Sequence, residues 1–154
     1  MMNLCSDIIR LLGERTLVTA ESCTGGGIGA ALTAVPGSSR VFKGGIISYT
    51  NWVKENLLSV DAELLENKGA VSAEVAEAMA NGARIRLNAD IAVSVTGLAG
   101  PSGDEFGNPV GTVFIGYADV NTALSKKYLF SGDRETIRNQ AVNAALQLVL
   151  QQIQ

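Results

Sequence analysis

The rest of the chain is organised around Thr16-Leu17-Val18-Thr19-Ala20-Glu21-Ser22-Cys23-Thr24-Gly25-Gly26-Gly27-Ile28-Gly29. It reads as a short β-strand, a sharp glycine-rich turn and the opening of a helix that continues through Ala30, Ala31 and Leu32. Glycines let a backbone approach a ligand closely, and the first amides of a helix have no partner within it. With the positive end of the helix dipole, such amides suit a phosphate, a carboxylate or a developing oxyanion. Ser22, Cys23 and Thr24 place three candidate nucleophiles or hydrogen-bond donors at this one turn.

Composition removes several kinds of chemistry. The chain has no histidine, which excludes His-based general bases, His-containing triads and the commonest zinc sites. Its two cysteines, Cys5 and Cys23, are too few for a four-thiolate metal site and suggest no disulfide framework. Carboxylates do not cluster at ligand spacing, so neither a metal nor another cofactor is expected. A net charge of −3 and the lack of any Lys/Arg block argue against nucleic-acid binding. The amino terminus shows no signal-peptide pattern and no apolar run approaches spanning length, so no membrane association and a cytoplasmic location are expected. At 154 residues, rich in Ala, Val, Ile, Leu and Gly and poor in aromatics, the chain is expected to form one domain over residues 1–154 with an aliphatic α/β core.

Taken in order, residues 2–13 form an amphipathic helix ended by Gly13, with Cys5 on its buried face. After the strand and turn, the next helix runs from about Gly27 to Val35 and stops at Pro36-Gly37. A long strand, Val41 to about Tyr49, carries a bulge or close backbone approach at Gly44-Gly45. Asn51 caps a short helix bearing Lys54, Asp61 caps a second ending at Gly69, and Ser72 opens a longer one to about Leu87. Ile91-Ala92-Val93-Ser94-Val95 reads as a buried strand. The segments 110–118 and 124–130 read as an antiparallel pair, and Asp133-Arg134 opens a closing helix. This order predicts a three-layer α/β/α sandwich on a mixed β-sheet.

In open α/β sheets, ligands sit beyond the carboxyl ends of the strands. Three loops have that position: Glu21 to Gly27, Thr96 to Gly103, and Ser131 to Arg134. Neither the dinucleotide fingerprint nor the P-loop is present, which leaves a small phosphate-bearing molecule open. Without histidine, a serine needs a lysine of depressed pKa, a reactive cysteine or a metal to activate it. Lys54 approaches Ser22 if the two strands are neighbours. On spacing alone, however, Lys54 reads as an exposed helical lysine and Tyr49 as an aromatic at a strand end. Cys23 is the rival nucleophile, since a helix N-terminus lowers a thiol pKa. Glu21 is expected to orient the loop.

The motifs Thr19-Ala20-Glu21-Ser22-Cys23-Thr24-Gly25-Gly26, Pro36-Gly37-Ser38-Ser39, Gly45 to Tyr49 with Lys54, Gly97-Leu98-Ala99-Gly100-Pro101, Gly111-Thr112-Val113 and Ser131-Gly132-Asp133-Arg134 together resemble the CinA C-terminal domain family. The resemblance implies a metal-free amidohydrolase that converts nicotinamide mononucleotide to nicotinate mononucleotide and ammonia. It implies Ser22 as nucleophile, Lys54 as base and Tyr49 assisting. The amides near Thr24, Gly25 and Gly26 would hold the oxyanion, and Thr96, Gly100 and Arg134 the ribose and phosphate. The partner expected is thus a small nucleotide, with a homodimer as the expected assembly. The alternative from another class is a non-catalytic nucleotide-binding or partner-docking module.

Overall fold

A computed structural model describes residues 1–154. Five strands form one sheet in the order β2-β1-β3-β4-β5, with β1 at Leu17–Glu21, β2 at Phe42–Ile47, β3 at Ile91–Gly97, β4 at Thr112–Ala118 and β5 at Ala123–Leu129. β1 is parallel to β2 and β3, whereas β4 is antiparallel to both β3 and β5. Helices α1 (Met2–Leu12), α2 (Gly27–Thr33) and α6 (Arg134–Ile153) pack together on one face. Helices α3 (Asn51–Leu58), α4 (Ala62–Lys68) and α5 (Ala73–Arg86) pack on the other. The architecture is the three-layer mixed α/β sandwich expected from the order of elements.

Local chemistry accounts for the layers. Every residue of β1 and β4 is buried, as strands covered on both faces require. β5 is an edge strand carrying the exposed Lys126 and Lys127, charges that discourage a further strand from adding there. In α1 the buried residues are Cys5, Ile8, Ile9 and Leu12, one stripe at helical spacing. The larger core cluster lies between the sheet and α1, α2 and α6, and a second lies under α5.

Several boundaries move from their expected places. The strand expected over 41–49 occupies only Phe42–Ile47, and a 3-10 turn at Ser38–Arg40 precedes it. Its bulge is present: Leu17 pairs with Phe42 and Val18 with Gly44, so Lys43 is passed over. Thr50, not Asn51, caps α3, its Oγ1 accepting from the Val53 amide at 3.4 Å. The helix expected to reach Val35 ends at Thr33, and the strand expected from Val110 starts at Thr112.

Two consequences bear on function. The carboxyl ends of β1, β2, β3 and β5 all lie on one edge of the sheet, so the loops that follow them converge. The helix that carries Lys54 is held tightly: a Cβ at Gly82 of α5 would lie 1.9 Å from the Leu58 carbonyl oxygen at the end of α3. Only a glycine lets α5 and α3 pack at that distance.

Candidate active site

Where the loops converge, they enclose a cleft of about 320 Å³ that includes Ser22, Cys23, Tyr49, Lys54, Thr96 and Arg134 in its wall. That is at the lower end of small-molecule sites, whose volumes begin at ~300 Å³. Ser22 follows β1 directly, and its amide donates to the Val95 carbonyl of the neighbouring strand at 3.0 Å. Lys54 comes from the first turns of α3. It is 1% exposed, and its Nζ lies 3.1 Å from Ser22 Oγ and 2.6 Å from the Ser48 carbonyl oxygen. No carboxylate pairs with it; the ion pairs of the structure, Arg10–Asp7 and Lys68–Glu74, lie elsewhere. Burial without a counter-charge disfavours the ammonium and lowers the Lys54 pKa from 10.5 to about 8. The expectation from spacing alone, an exposed lysine, is overturned by the packing of α3 against α5.

Cys23 is the opposite case. A lowered thiol pKa was expected from a nearby helix N-terminus, but burial pushes it up to about 11, outweighing the nearby Arg138 and Lys54 charges. The geometry explains why. Helix α2 starts only at Gly27, after Gly26 at its N-cap, and its first amides already have a partner. The Glu21 carboxylate accepts from the Ile28 amide at 2.9 Å and the Gly29 amide at 3.0 Å, and from Thr24 Oγ1 at 2.8 Å. Buried Glu21 therefore takes the helix end that the sequence suggested for a ligand. The thiol beside it stays protonated at neutral pH.

Thr24, Gly25 and Gly26 consequently do not line the cleft with side chain or helix end. The Thr24 hydroxyl is bound to Glu21, a Cβ on Gly25 would lie 3.3 Å from Arg138 Nη2, and one on Gly26 would lie 3.4 Å from Ile47. What the turn does leave free are the backbone N–H groups of Cys23, Thr24 and Gly26, none of which donates to another residue. The residue after a nucleophile on a strand-to-helix turn is the usual source of an oxyanion donor.

At the mouth of the cleft, Arg134 donates to the Gly100 carbonyl and, through Nη2, to Tyr49 Oη at 3.2 Å. Tyr49 is 59% exposed and so stands at the rim, not beside Ser22. Thr96 lines the wall, its hydroxyl donating to the Ala70 carbonyl at 2.7 Å. Apart from Lys54 and Arg134, the wall carries no charged side chain.

The family described as CinA C-terminal domain matches residues 3–153 of the chain. The chain belongs to this family. A CinA-like protein of Thermosynechococcus vestitus is 49% identical over 151 residues, covering 95% of this chain and 36% of the relative. The chain thus spans about a third of the length of that curated relative. The crystal structure of competence damage-inducible protein A from Klebsiella pneumoniae superposes with a TM-score of 0.96 at 36% identity, over 99% of this chain and 96% of that one. A competence/damage inducible protein from Agrobacterium tumefaciens gives 0.95 at 39% identity, over 99% and 95%.

Two features of this CinA-family site had no sequence signal. Arg138, on the second turn of α6, donates through Nε to the Cys23 carbonyl at 2.9 Å and through Nη2 to the Thr24 carbonyl at 3.2 Å. Ser48 holds Lys54 through its carbonyl, an atom every residue has. The nearest hint of the first was Gly25, whose missing side chain makes room for the guanidinium.

Proposed function

We propose that this protein is an amidohydrolase that cleaves the carboxamide of a pyridine mononucleotide, nicotinamide mononucleotide, to the acid and ammonia. The observation that carries the reading is the 3.1 Å contact between Ser22 Oγ and a buried, counter-charge-free Lys54 Nζ. A neutral amine at that distance accepts the hydroxyl proton as the oxygen attacks the carboxamide carbon. The Ser48 carbonyl orients the amine by accepting one of its hydrogens. Negative charge collects on the carboxamide oxygen, where the free amide of Cys23, a residue of the cleft wall, serves as donor. The lysine ammonium returns its proton to the departing nitrogen, ammonia leaves, and an acyl-serine remains. Water attacks that ester with Lys54 again as base, releasing the carboxylate and restoring both residues.

The lining of the cleft supports the substrate class. Its charged lining is cationic, with Arg134 at the mouth, which suits a ligand whose phosphate trails outward while its amide reaches Ser22. Thr96 and Gly100 line the same cleft and serve the ribose. Ammonia release across a panel of pyridine nucleotides tests the reading, with Ser22→Ala and Lys54→Ala as controls. Release from nicotinamide mononucleotide that both substitutions abolish supports it. Binding of the nucleotide without release by the intact protein refutes it in favour of a non-catalytic binding module.

A further inference from the structure

We infer that Arg138 is a positioning residue for the oxyanion donor, the Cys23 amide, acting through the carbonyls of the nucleophile turn. The inference rests on the reading of Ser22 as nucleophile. Arg138 is half-buried, forms no ion pair, and directs two of its N–H groups at consecutive carbonyls of the nucleophile turn, those of Cys23 and Thr24. A guanidinium makes such a two-pronged contact because its donors are coplanar and fixed. Gly25, at φ +59°, has no side chain to obstruct the fork, and a Cβ there would press on Nη2 at 3.3 Å.

The carbonyl of Ser22 and the amide of Cys23 belong to one planar trans peptide, in which C=O and N–H point in opposite directions. The Ser22 carbonyl accepts from the Gly25 N–H at 3.1 Å, and that N–H belongs to the peptide whose carbonyl, on Thr24, Arg138 holds. Fixing the Thr24–Gly25 peptide from α6 therefore fixes the Ser22–Cys23 peptide and the direction of the Cys23 N–H, which donates to no other residue and belongs to the cleft wall. A cation bound to the Thr24 carbonyl also draws electron density along its peptide and strengthens the Gly25 N–H as a donor to Ser22. The other prong, on the Cys23 carbonyl, holds the peptide between them. The cation acts from behind the turn: it is not among the groups lining the cleft and touches no substrate.

Phosphonylation of Ser22 by a small fluorophosphonate is the test, because it needs the same base and the same donor whatever the natural substrate. The Ser22 oxygen bonds to phosphorus as Lys54 takes its proton, fluoride leaves, and the phosphoryl oxygen gathers charge in the transition state. Removing an oxyanion donor outright costs about 10²–10³ in rate, so removing the group that orients one is expected to cost roughly 10- to 100-fold. The expected result for Arg138→Met is a plateau rate lower by that factor, with the pH midpoint still set by Lys54 near 8. Arg138→Lys keeps the charge and loses the fork, and is expected to fall between the two. A wild-type plateau in either folded variant overturns the inference, as does a loss accompanied by a midpoint displaced by about one pH unit or more, which would place the effect on the base. No labelling of Ser22 in the wild-type protein overturns it too. Labelling without ammonia release from any pyridine nucleotide discards the amidase reading and supports Arg138 where the plateau falls as stated.

Discussion

Replacing Lys54 by methionine is expected to stabilise the protein at neutral pH while destroying its chemistry. The lysine pKa falls from 10.5 to about 8 on folding because its charge is buried without a partner. The unfolded chain therefore binds the proton more tightly than the folded one. Below pH 8 both states are protonated and the folded state carries the full penalty, roughly 3 kcal/mol at about 1.4 kcal/mol per pH unit. Between pH 8 and 10.5 the folded state is neutral and the penalty shrinks; above 10.5 it is gone. Methionine has a similar length and no charge, but it leaves the Ser48 carbonyl and the Ser22 hydroxyl without the lysine, at a cost of about 1 kcal/mol. The net gain near pH 7 is then about 2 kcal/mol, or a rise of ~4–8 °C in melting temperature for a chain of this size. Urea unfolding of both proteins from pH 6 to 11 is the assay. The variant should be more stable below pH 8 and slightly less stable above 10.5. A variant less stable at pH 7, or a difference that does not change with pH, would refute the assignment of a desolvated lysine.

Catalytic rate should rise with pH at unit slope and level off above about pH 8, following the neutral fraction of Lys54. Ser22→Ala should reduce ammonia release by about 10³-fold or more, whereas Cys23→Ala should leave most of it, since a thiol of pKa about 11 is not the nucleophile. Alkylation of folded protein by iodoacetamide at pH 8 should likewise spare Cys23, read by mass spectrometry. Glu21→Gln replaces one accepting oxygen by an NH2 that faces a backbone N–H of α2, and should cost roughly 2–4 kcal/mol in urea unfolding. Gly82→Ala forces a methyl against the Leu58 carbonyl and should cost about 1–3 kcal/mol, with a further loss of rate because α3 carries Lys54.

The layers of the fold were legible because they follow from patterns within single segments. The aliphatic run Ile91–Val95, the stripe of α1 and the capping residues Asp61, Ser72 and Asp133 each act over a few residues, and each is found where the chain order placed it. The two glycines at 44 and 45 likewise marked the bulge opposite Val18. What was not legible depends on contacts between distant segments. Spacing alone made Lys54 an exposed residue; its burial is produced by α5 crossing at Gly82, twenty-eight positions further along. Cys23 read as an activated thiol because the proximity of a helix start is visible in sequence, while occupation of that start by Glu21 is not. Arg138 reaches the turn from 115 and 114 residues away. The resemblance to CinA C-terminal domains supplied the pairing of Ser22 with Lys54 that spacing could not.

The placement of Glu21 explains how a lysine of lowered pKa and a carboxylate coexist in one small site. A carboxylate within hydrogen-bond reach of Lys54 would hold it as an ammonium and leave Ser22 without a base. Glu21 is only one residue from Ser22, yet its charge is satisfied by two helix amides and the Thr24 hydroxyl, with no cation needed. Those amides draw the carboxylate into the α2 end, while Lys54 approaches the same serine from α3, on the opposite face of the sheet. The sheet thus separates the two charges that would otherwise neutralise each other. Thr24→Val removes one of the three donors to Glu21 and leaves its charge freer to turn. The expected consequence is a Lys54 pKa above 8, seen as a rate profile displaced to higher pH with its plateau nearly unchanged. A profile that stays in place while stability falls would show that the carboxylate is held by the helix amides alone.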